Sequence, residues 1–231
     1  HRNWQPGPDY LNLYDDVTIP EPDTLFDHYA TRGTPARAQD MSIEVTMDDS
    51  DLKLVPPRNL TPEQKAEWDA AYDPKNKAFR EANLQGKDLV RWKYQRYMKD
   101  YLRCIAAVDD NVGRVMEALS TLGIADNTIV VFLTDNGPQA FDGVTRYNAG
   151  MRGSKATVYE GGIRVPLFVR WPAQLQGGRD VDRIAANIDI TPTLLDACGV
   201  DAPAGRAFDG VSVLPLLEST ADAWPDRNLF T

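Results

Sequence analysis

Two short runs near the middle of the chain carry the residue types best suited to chemistry. The first is Thr134-Asp135-Asn136-Gly137, and the second is Gly150-Met151-Arg152-Gly153-Ser154-Lys155. Asp135 and Asn136 supply carboxylate and amide oxygens, which are hard donors that suit Ca²⁺ or Mg²⁺. Lys155 stands among glycines, so little side chain would keep its ammonium group from an anion. The two runs together predict a site for a divalent cation and an anionic group.

The segments around these runs indicate how they are positioned. Residues 128–133 are apolar and largely β-branched, which predicts a strand buried on both faces, as in a parallel sheet. Open α/β sheets place their ligand sites at the carboxyl ends of such strands. Asp-Asn-Gly after a strand is most often only a turn, and a lone loop lysine is usually solvated. The ordered combination, with a second apolar strand beginning at Val165, favours a site.

Longer motifs in the same region resemble the core of a type I, formylglycine-dependent sulfatase of the alkaline-phosphatase superfamily. They are residues 134–138, 147–155 and 159–166, in that order. The opening run from His1 to Pro6 resembles the family's histidine segment, and residues 188–195 and 209–217 resemble its later segments. The resemblance implies an α/β fold, an alkaline-phosphatase-like sandwich with a mostly parallel central sheet flanked by helices. Residues 1–231 would be a partial catalytic domain, without the N-terminal nucleophile-bearing part and the C-terminal end.

The same resemblance implies a role for four side chains. Asp135 and Asn136 would hold Ca²⁺, with Mg²⁺ the less favoured ion. Lys155 and His1 would bind the sulfate group as catalytic residues, and His1 would be a candidate proton donor to the leaving oxygen. Each of these assignments is an expectation carried over from the family.

The family's nucleophile is a formylglycine hydrate, made from Cys or Ser in a Cys/Ser-x-Pro/Ala-x-Arg segment. Neither Cys104 nor Cys198 stands in such a segment. We therefore expect the nucleophile, and the paired aspartates that complete the family's calcium site, to lie upstream of this chain. The isolated chain is predicted to be catalytically inactive.

The implied function is that of a sulfuric ester hydrolase acting on a sulfated carbohydrate or aryl sulfate, in a periplasmic or secreted protein. One alternative is a phosphatase or phosphodiesterase of the same superfamily. Such two-metal enzymes commonly have His where this chain has Asn136, because imidazole suits Zn²⁺, so the amide favours a single hard cation. The other alternative is a non-catalytic relative that serves as a binding module, which only the nucleophile segment can decide.

Composition excludes other classes of partner. The net charge is -9, so no basic excess is present to neutralise nucleic-acid phosphates. No uninterrupted apolar run is long enough to predict a membrane span. The two cysteines are too few for a disulfide framework, and we predict that both are buried free thiols.

The remaining elements are predicted from periodicity and end signals. Residues 1–60 lack a regular period and should be mostly irregular chain. Thr61 is a good helix cap, with a helix expected to run to about Tyr72, where Asp73-Pro74 interrupts it. Apolar residues at three- and four-residue steps predict a long amphipathic helix over 87–121. A short helix should follow Thr191 and end near Cys198.

Overall fold

The computed structural model describes residues 4–30, 42–139, 148–220, 224 and 226–229. His1 lies outside the described residues. The described residues form two compact units, one ending at Glu117 and the other beginning at Ala118. No helix within these ranges is both long and apolar enough to cross a membrane. The helices and strands are α1 (Pro62–Ala82), α2 (Gly86–Thr121), β1 (Val130–Leu133), α3 (Glu160–Ile163), β2 (Leu167–Arg170), α4 (Ile190–Ala197) and α5 (Leu214–Leu217).

Helix α1 begins where the sequence predicts but ends later. The Thr61 hydroxyl accepts from the Gln64 backbone, and the Gln64 side chain accepts from the Thr61 backbone, which makes a capping box. The predicted interruption at Pro74 is wrong, because the helix continues through it to Ala82. A proline removes one helical hydrogen bond, but Tyr72 and Asn76 on either side of it are buried. Their packing outweighs the local cost of Pro74.

Helix α2 matches the long amphipathic helix predicted from the apolar spacing, and it anchors the irregular start of the chain. Tyr94 Oη donates to Pro20 O at 2.7 Å, and Arg103 Nε donates to Leu13 O at 2.7 Å. The side-chain amide of Gln95 both accepts from and donates to the backbone of Ile19. These bonds give backbone groups without helix or sheet partners the acceptors and donors they require. Beyond a 3₁₀ turn at Pro8–Tyr10, the N-terminal stretch (residues 4–30) is held by side chains rather than by regular structure.

The first unit has a small apolar core and a large buried polar network. Its apolar cluster consists of Leu11, Trp68, Ala71 and Tyr72. Asp100 is fully buried and accepts from Tyr72 Oη and from Arg103 Nη1, both at 2.7 Å. Arg103 also reaches Asp15 at 2.6 Å. Buried charges are stable only when paired and hydrogen-bonded, and here one carboxylate meets a guanidinium and a phenol.

The second unit contains the sheet, which differs from the prediction in two ways. β1 pairs with β2 in an antiparallel register, from Val130 opposite Arg170 to Leu133 opposite Leu167. The parallel pairing expected for β1 is therefore wrong within the described residues, because the segment that lies beside β1 runs in the opposite direction. The expected burial on both faces is also wrong, since Phe132 is 51% exposed.

A second buried ion pair organises the C-terminal part of this unit. Asp189 is fully buried and accepts from the guanidinium of Arg227 and from the backbone N–H groups of Ala186 and Val211. Burial by itself raises the pKa of the Asp189 carboxyl. The ion pair with Arg227 and the two backbone donors lower this pKa by more than burial raises it, so the net shift is downward. The helix predicted after Thr191 forms as α4 but begins at Ile190, two residues before the predicted start at Pro192. Asp189 thus ties the start of α4 to two later segments.

The two cysteines are free thiols, as predicted. Their expected burial is wrong for Cys198, which is exposed at the end of α4, whereas Cys104 is half-buried. Helix ends that lead into turns commonly lie at the surface, and Cys198 is the C-terminal cap of α4. Cys198 follows that pattern.

Candidate functional site

The predicted cation ligands lie directly after β1. The strand ends at Leu133, and the Thr134 hydroxyl donates to Asn136 O at 3.4 Å. The Asp135 side chain is exposed and that of Asn136 is half-buried. A carboxylate and an amide therefore stand together at the carboxyl end of β1.

Gly137 fixes this loop against the one-turn helix α3. Its N–H donates to Gly162 O at 2.8 Å. A Cβ added to Gly137 would lie 1.9 Å from Gly161 O, so the two backbones approach more closely than any side chain allows. The glycine is therefore required by contact with the neighbouring segment, which is how glycines commonly permit close backbone packing.

The loop that carries Lys155 (residues 148–155, the lysine loop) forms backbone hydrogen bonds with the Asp135-Asn136 loop and with α3. Lys155 N donates to Pro138 O at 3.0 Å, and Gly161 N donates to Arg152 O at 2.7 Å. Gly153 has φ +86, where a side chain would be strained, and a Cβ there would meet Thr157 Oγ1 at 2.5 Å. The structure thus joins the Asp135-Asn136 loop to the Lys155 loop through direct backbone contacts. The Lys155 side chain itself is exposed.

Two polar residues hold the lysine loop in shape, and the sequence analysis assigned them no role. Asn148 is 8% exposed, and its amide donates to the carbonyl groups of Met151 and Gly153. The Thr157 hydroxyl accepts from Ser154 N at 3.1 Å and donates to Ser154 O at 2.7 Å. Asn and Thr readily replace backbone partners in this way. Their occurrence in a glycine-rich loop is the signal that could have identified them.

A further cation stands on the same loop, stacked on an aromatic ring. The Arg152 guanidinium lies 3.7 Å from the centroid of the Tyr159 ring, and its Nη2 donates to Tyr159 Oη at 2.7 Å. A guanidinium that is stacked and hydrogen-bonded loses less freedom when it meets an anion. Arg152 and Lys155 therefore give the loop a positive character.

The donor set agrees with a hard cation but is incomplete. Asp135 and Asn136 supply oxygen ligands of the kind Ca²⁺ prefers, whereas Ca²⁺ takes six to eight. Within the described ranges, no group of three or more His, Cys, Asp or Glu side chains could hold a metal ion. These two residues fit part of a calcium site and need further oxygen ligands.

Comparisons with known proteins agree with the motifs. The family profile described as Sulfatase matches residues 34–200. An N-acetylglucosamine-6-O-sulfatase of Bacteroides thetaiotaomicron is 38% identical over 95% of this chain and 40% of its own length. The steryl-sulfatase of Homo sapiens is 32% identical over 56% of this chain and 23% of its own length. The chain thus spans less than half the length of either relative.

A solved structure extends the comparison to the fold. It is a protein in complex with its substrate D-glucosamine-2-N,6-O-disulfate, with 38% sequence identity and a TM-score of 0.67. The match covers 94% of this chain and 46% of that one. This similarity confirms the α/β, alkaline-phosphatase-like fold class, of which the described helices and small sheet are a part. With a family profile that matches most of its residues, the chain belongs to the sulfatase family.

Proposed function

We propose that the full-length protein containing this chain hydrolyses a sulfate monoester, and that its substrate is a 6-O-sulfated amino sugar or a glycan that carries one. The observation that carries the proposal is the backbone bond between Lys155 and Pro138, which joins a loop with an anion-binding residue to a loop with cation ligands. The relatives are named for sulfated sugars and steryl sulfate, and a sugar sulfate fits the relative with the greater coverage.

Each site residue has a task that its chemistry suits. Asp135 and Asn136 would hold Ca²⁺, and a bound cation of this kind supplies charge stabilisation for the sulfuryl oxygens. Lys155 would hold a sulfuryl oxygen as a point charge, positioned by the bonded loop. His1 would bind the sulfate group and protonate the leaving oxygen. The roles of all four residues are part of the proposal.

The nucleophile would come from residues other than these 231. The sequence contains no Cys/Ser-x-Pro/Ala-x-Arg segment. We therefore propose that residues 1–231 by themselves do not turn over sulfate esters, and that the full-length protein carries the formylglycine segment. Intact-mass analysis of the natural protein would detect that modification.

A sulfatase function is favoured over a phosphatase or phosphodiesterase function and over a non-catalytic binding module. The amide of Asn136 suits a single hard cation better than the zinc pair of related phosphatases. A non-catalytic binding module would need neither the Lys155 loop nor the cation ligands in this arrangement, and the comparisons reported above are with sulfatases.

Activity and cation binding test the proposal separately. The full-length protein should release sulfate from N-acetylglucosamine-6-sulfate, measured by ion chromatography. Lys155→Ala should reduce kcat/KM by about a hundredfold or more, as removal of one preorganised charge-stabilising donor does. Asp135→Ala should weaken Ca²⁺ binding measured by calorimetry.

The controls are exposed residues of the same unit with the same charges. Arg206→Ala and Asp201→Ala remove one charge each from exposed positions outside the two candidate loops. Both variants should retain activity and Ca²⁺ affinity. Full activity in Lys155→Ala, or Ca²⁺ affinity equal in Asp135→Ala and Asp201→Ala, would contradict the assignments.

A further inference from the structure

A cavity of about 370 Å³ opens between α1, α2 and the N-terminal stretch in the first unit. Its lining includes four cationic side chains, Lys75, Arg96, Lys99 and Arg103, and one carboxylate, Asp15. Arg96 and Arg103 are almost fully buried. Such a concentration of positive charge is uncommon inside a domain unless anions balance it.

Two of the four cations already meet a protein acceptor at every side-chain nitrogen. Arg103 uses Nε, Nη1 and Nη2 on Leu13 O, Asp100 and Asp15. Lys75 Nζ lies 3.0 Å from Leu11 O and 2.8 Å from Asp15 Oδ2, and it also reaches a side-chain oxygen of the N-terminal stretch. These two residues hold residues 11–15 in place, and those bonds fix the orientation of both cations.

Arg96 keeps part of its guanidinium available. Its Nη1 donates to Leu52 O at 3.2 Å and to Asn76 Oδ1 at 3.0 Å. Within the described part of the chain, Nε and Nη2 meet no acceptor. The guanidinium carbon lies 4.9 Å from the Trp92 ring centroid and 5.5 Å from that of Tyr72. The group is therefore fixed in orientation, and its remaining Nε and Nη2 donors form the fork that binds oxyanions at two points.

Lys99 lies one helical turn after Arg96 on α2 and lines the same cavity. Its ammonium group donates to Asp15 O at 3.2 Å, and in the described ranges it makes no other hydrogen bond. An ammonium group has three donors, so Lys99 can bind a further acceptor. Residues three apart on a helix face the same side, which places Lys99 beside the Arg96 fork.

Three of the four cations in this cavity have a lowered pKa, whereas burial lowers the pKa of Arg103 but its pairing with Asp100 outweighs that effect and raises it. Burial lowers the pKa of Arg96 and of Lys99, and the neighbouring Arg103 lowers both further despite nearby carboxylates. Burial likewise lowers the pKa of Lys75. A lowered pKa means that the charged form is destabilised in the folded protein, and a bound oxyanion would offset that destabilisation.

We propose that this cavity is an oxyanion-binding site, which takes a sulfate group through the Nε and Nη2 donors of Arg96 and the ammonium group of Lys99. The site is built only from residues of the first unit and does not use Asp135, Asn136 or Lys155. It therefore does not rest on the proposed catalytic function. Trp92 also lines this cavity, where Phe79 stacks on its ring at 3.6 Å and the Arg96 guanidinium lies 4.9 Å from the ring centroid, so the ring helps to hold Arg96 in place.

The test is titration of sodium sulfate into the full-length Lys155→Ala protein by calorimetry at constant ionic strength. Lys155→Ala weakens sulfate binding at the proposed catalytic site, so the part of the remaining binding that is lost on adding Lys99→Gln reports on the cavity. We expect measurable binding that falls about tenfold or more when Lys99→Gln is added, because a charge-assisted hydrogen bond is lost. Absence of sulfate binding, or equal affinity with and without Lys99→Gln, would overturn the proposal.

A second variant and a matched control guard against a general charge effect or a folding defect. Arg96→Lys keeps the positive charge but cannot offer the two-point fork, and it should also weaken sulfate binding at least several-fold. Lys77→Gln removes a positive charge from α1, where the side chain is 76% exposed, and should leave the affinity unchanged. Equal losses in Lys77→Gln and Lys99→Gln would show a non-specific charge effect and refute the site.

The source of the sulfate group is decided by a second titration. Glucosamine-6-sulfate should bind more tightly than inorganic sulfate if the cavity holds the sugar ring as well as the sulfate group, and Lys99→Gln should weaken the binding of both. Equal affinities would identify free sulfate, the product of the proposed reaction, as the occupant. Loss of catalytic activity in any of these variants is not a criterion, so failure of the cavity proposal and failure of the proposed function remain distinguishable.

Discussion

The substitution Gly137→Ala tests whether backbone contact between the two loops creates the candidate site. The new Cβ would lie 1.9 Å from Gly161 O, whereas real Cβ contacts are essentially never below 3.0 Å. The two backbones must therefore separate by about 1 Å, in a region where packing leaves little room to yield. Overpacking of this kind costs about 1–3 kcal/mol, and the Gly137–Gly162 hydrogen bond would contribute about 1 kcal/mol to the loss.

The functional effect should exceed the effect on stability. Displacement of catalytic groups by about 1 Å can reduce the rate about a hundredfold, because reacting groups must be held in narrow geometry. We expect kcat/KM of the full-length protein towards N-acetylglucosamine-6-sulfate to fall by about that factor, with weaker Ca²⁺ binding. Thermal unfolding measured beside the activity will show how much of the loss is a folding defect.

Gly177→Ala is the matched control, since a Cβ there meets nothing within 4 Å and the backbone needs no glycine-specific conformation. This variant should keep wild-type activity and stability, with a small gain from reduced freedom of the unfolded chain. If Gly137→Ala retained activity and Ca²⁺ affinity within about twofold of Gly177→Ala, the contact would not position the site, and our reasoning would be refuted.

Three further predictions concern stability. Asp100→Asn should lower the free energy of unfolding by about 3 kcal/mol or more, because it breaks the fully buried pair with Arg103. Asp69→Asn, in the exposed pair with Lys65, should lower it by less than about 1 kcal/mol. Urea denaturation of both variants measures these losses, and equal losses would contradict the role of burial. The pKa of Asp189 is lowered in the folded state, so its contribution to stability is complete above its unfolded pKa and is lost as the pH falls below about 4; Asp189→Asn should flatten the acid limb of a plot of stability against pH, and an unchanged limb would contradict this. Pro74→Ala should raise the free energy of unfolding by up to about 3 kcal/mol, since alanine restores a helical hydrogen bond inside α1; a lower melting temperature in calorimetry would show that Pro74 is needed there.

Local sequence signals determined the long helix, the helix start at Thr61 and the position of the candidate residues after a strand. These features depend on near neighbours: a capping residue, a three- and four-residue apolar spacing, or a β-branched run that ends in Asp135 and Asn136. The motif order also determined the family, which the comparisons confirm. The roles of His1, Asp135, Asn136 and Lys155 stay predictions.

Only the tertiary structure decided features that depend on distant parts of the chain. The continuity of α1 through Pro74 depends on burial of the residues around it, and the antiparallel pairing of β1 depends on which distant segment lies beside it. The need for glycine at position 137 is a contact with residues 161 and 162, which local sequence does not encode. The cluster of Arg96, Lys99, Lys75 and Arg103 was equally invisible, because charges on a helix predict solvent exposure until an irregular stretch from elsewhere in the chain covers them.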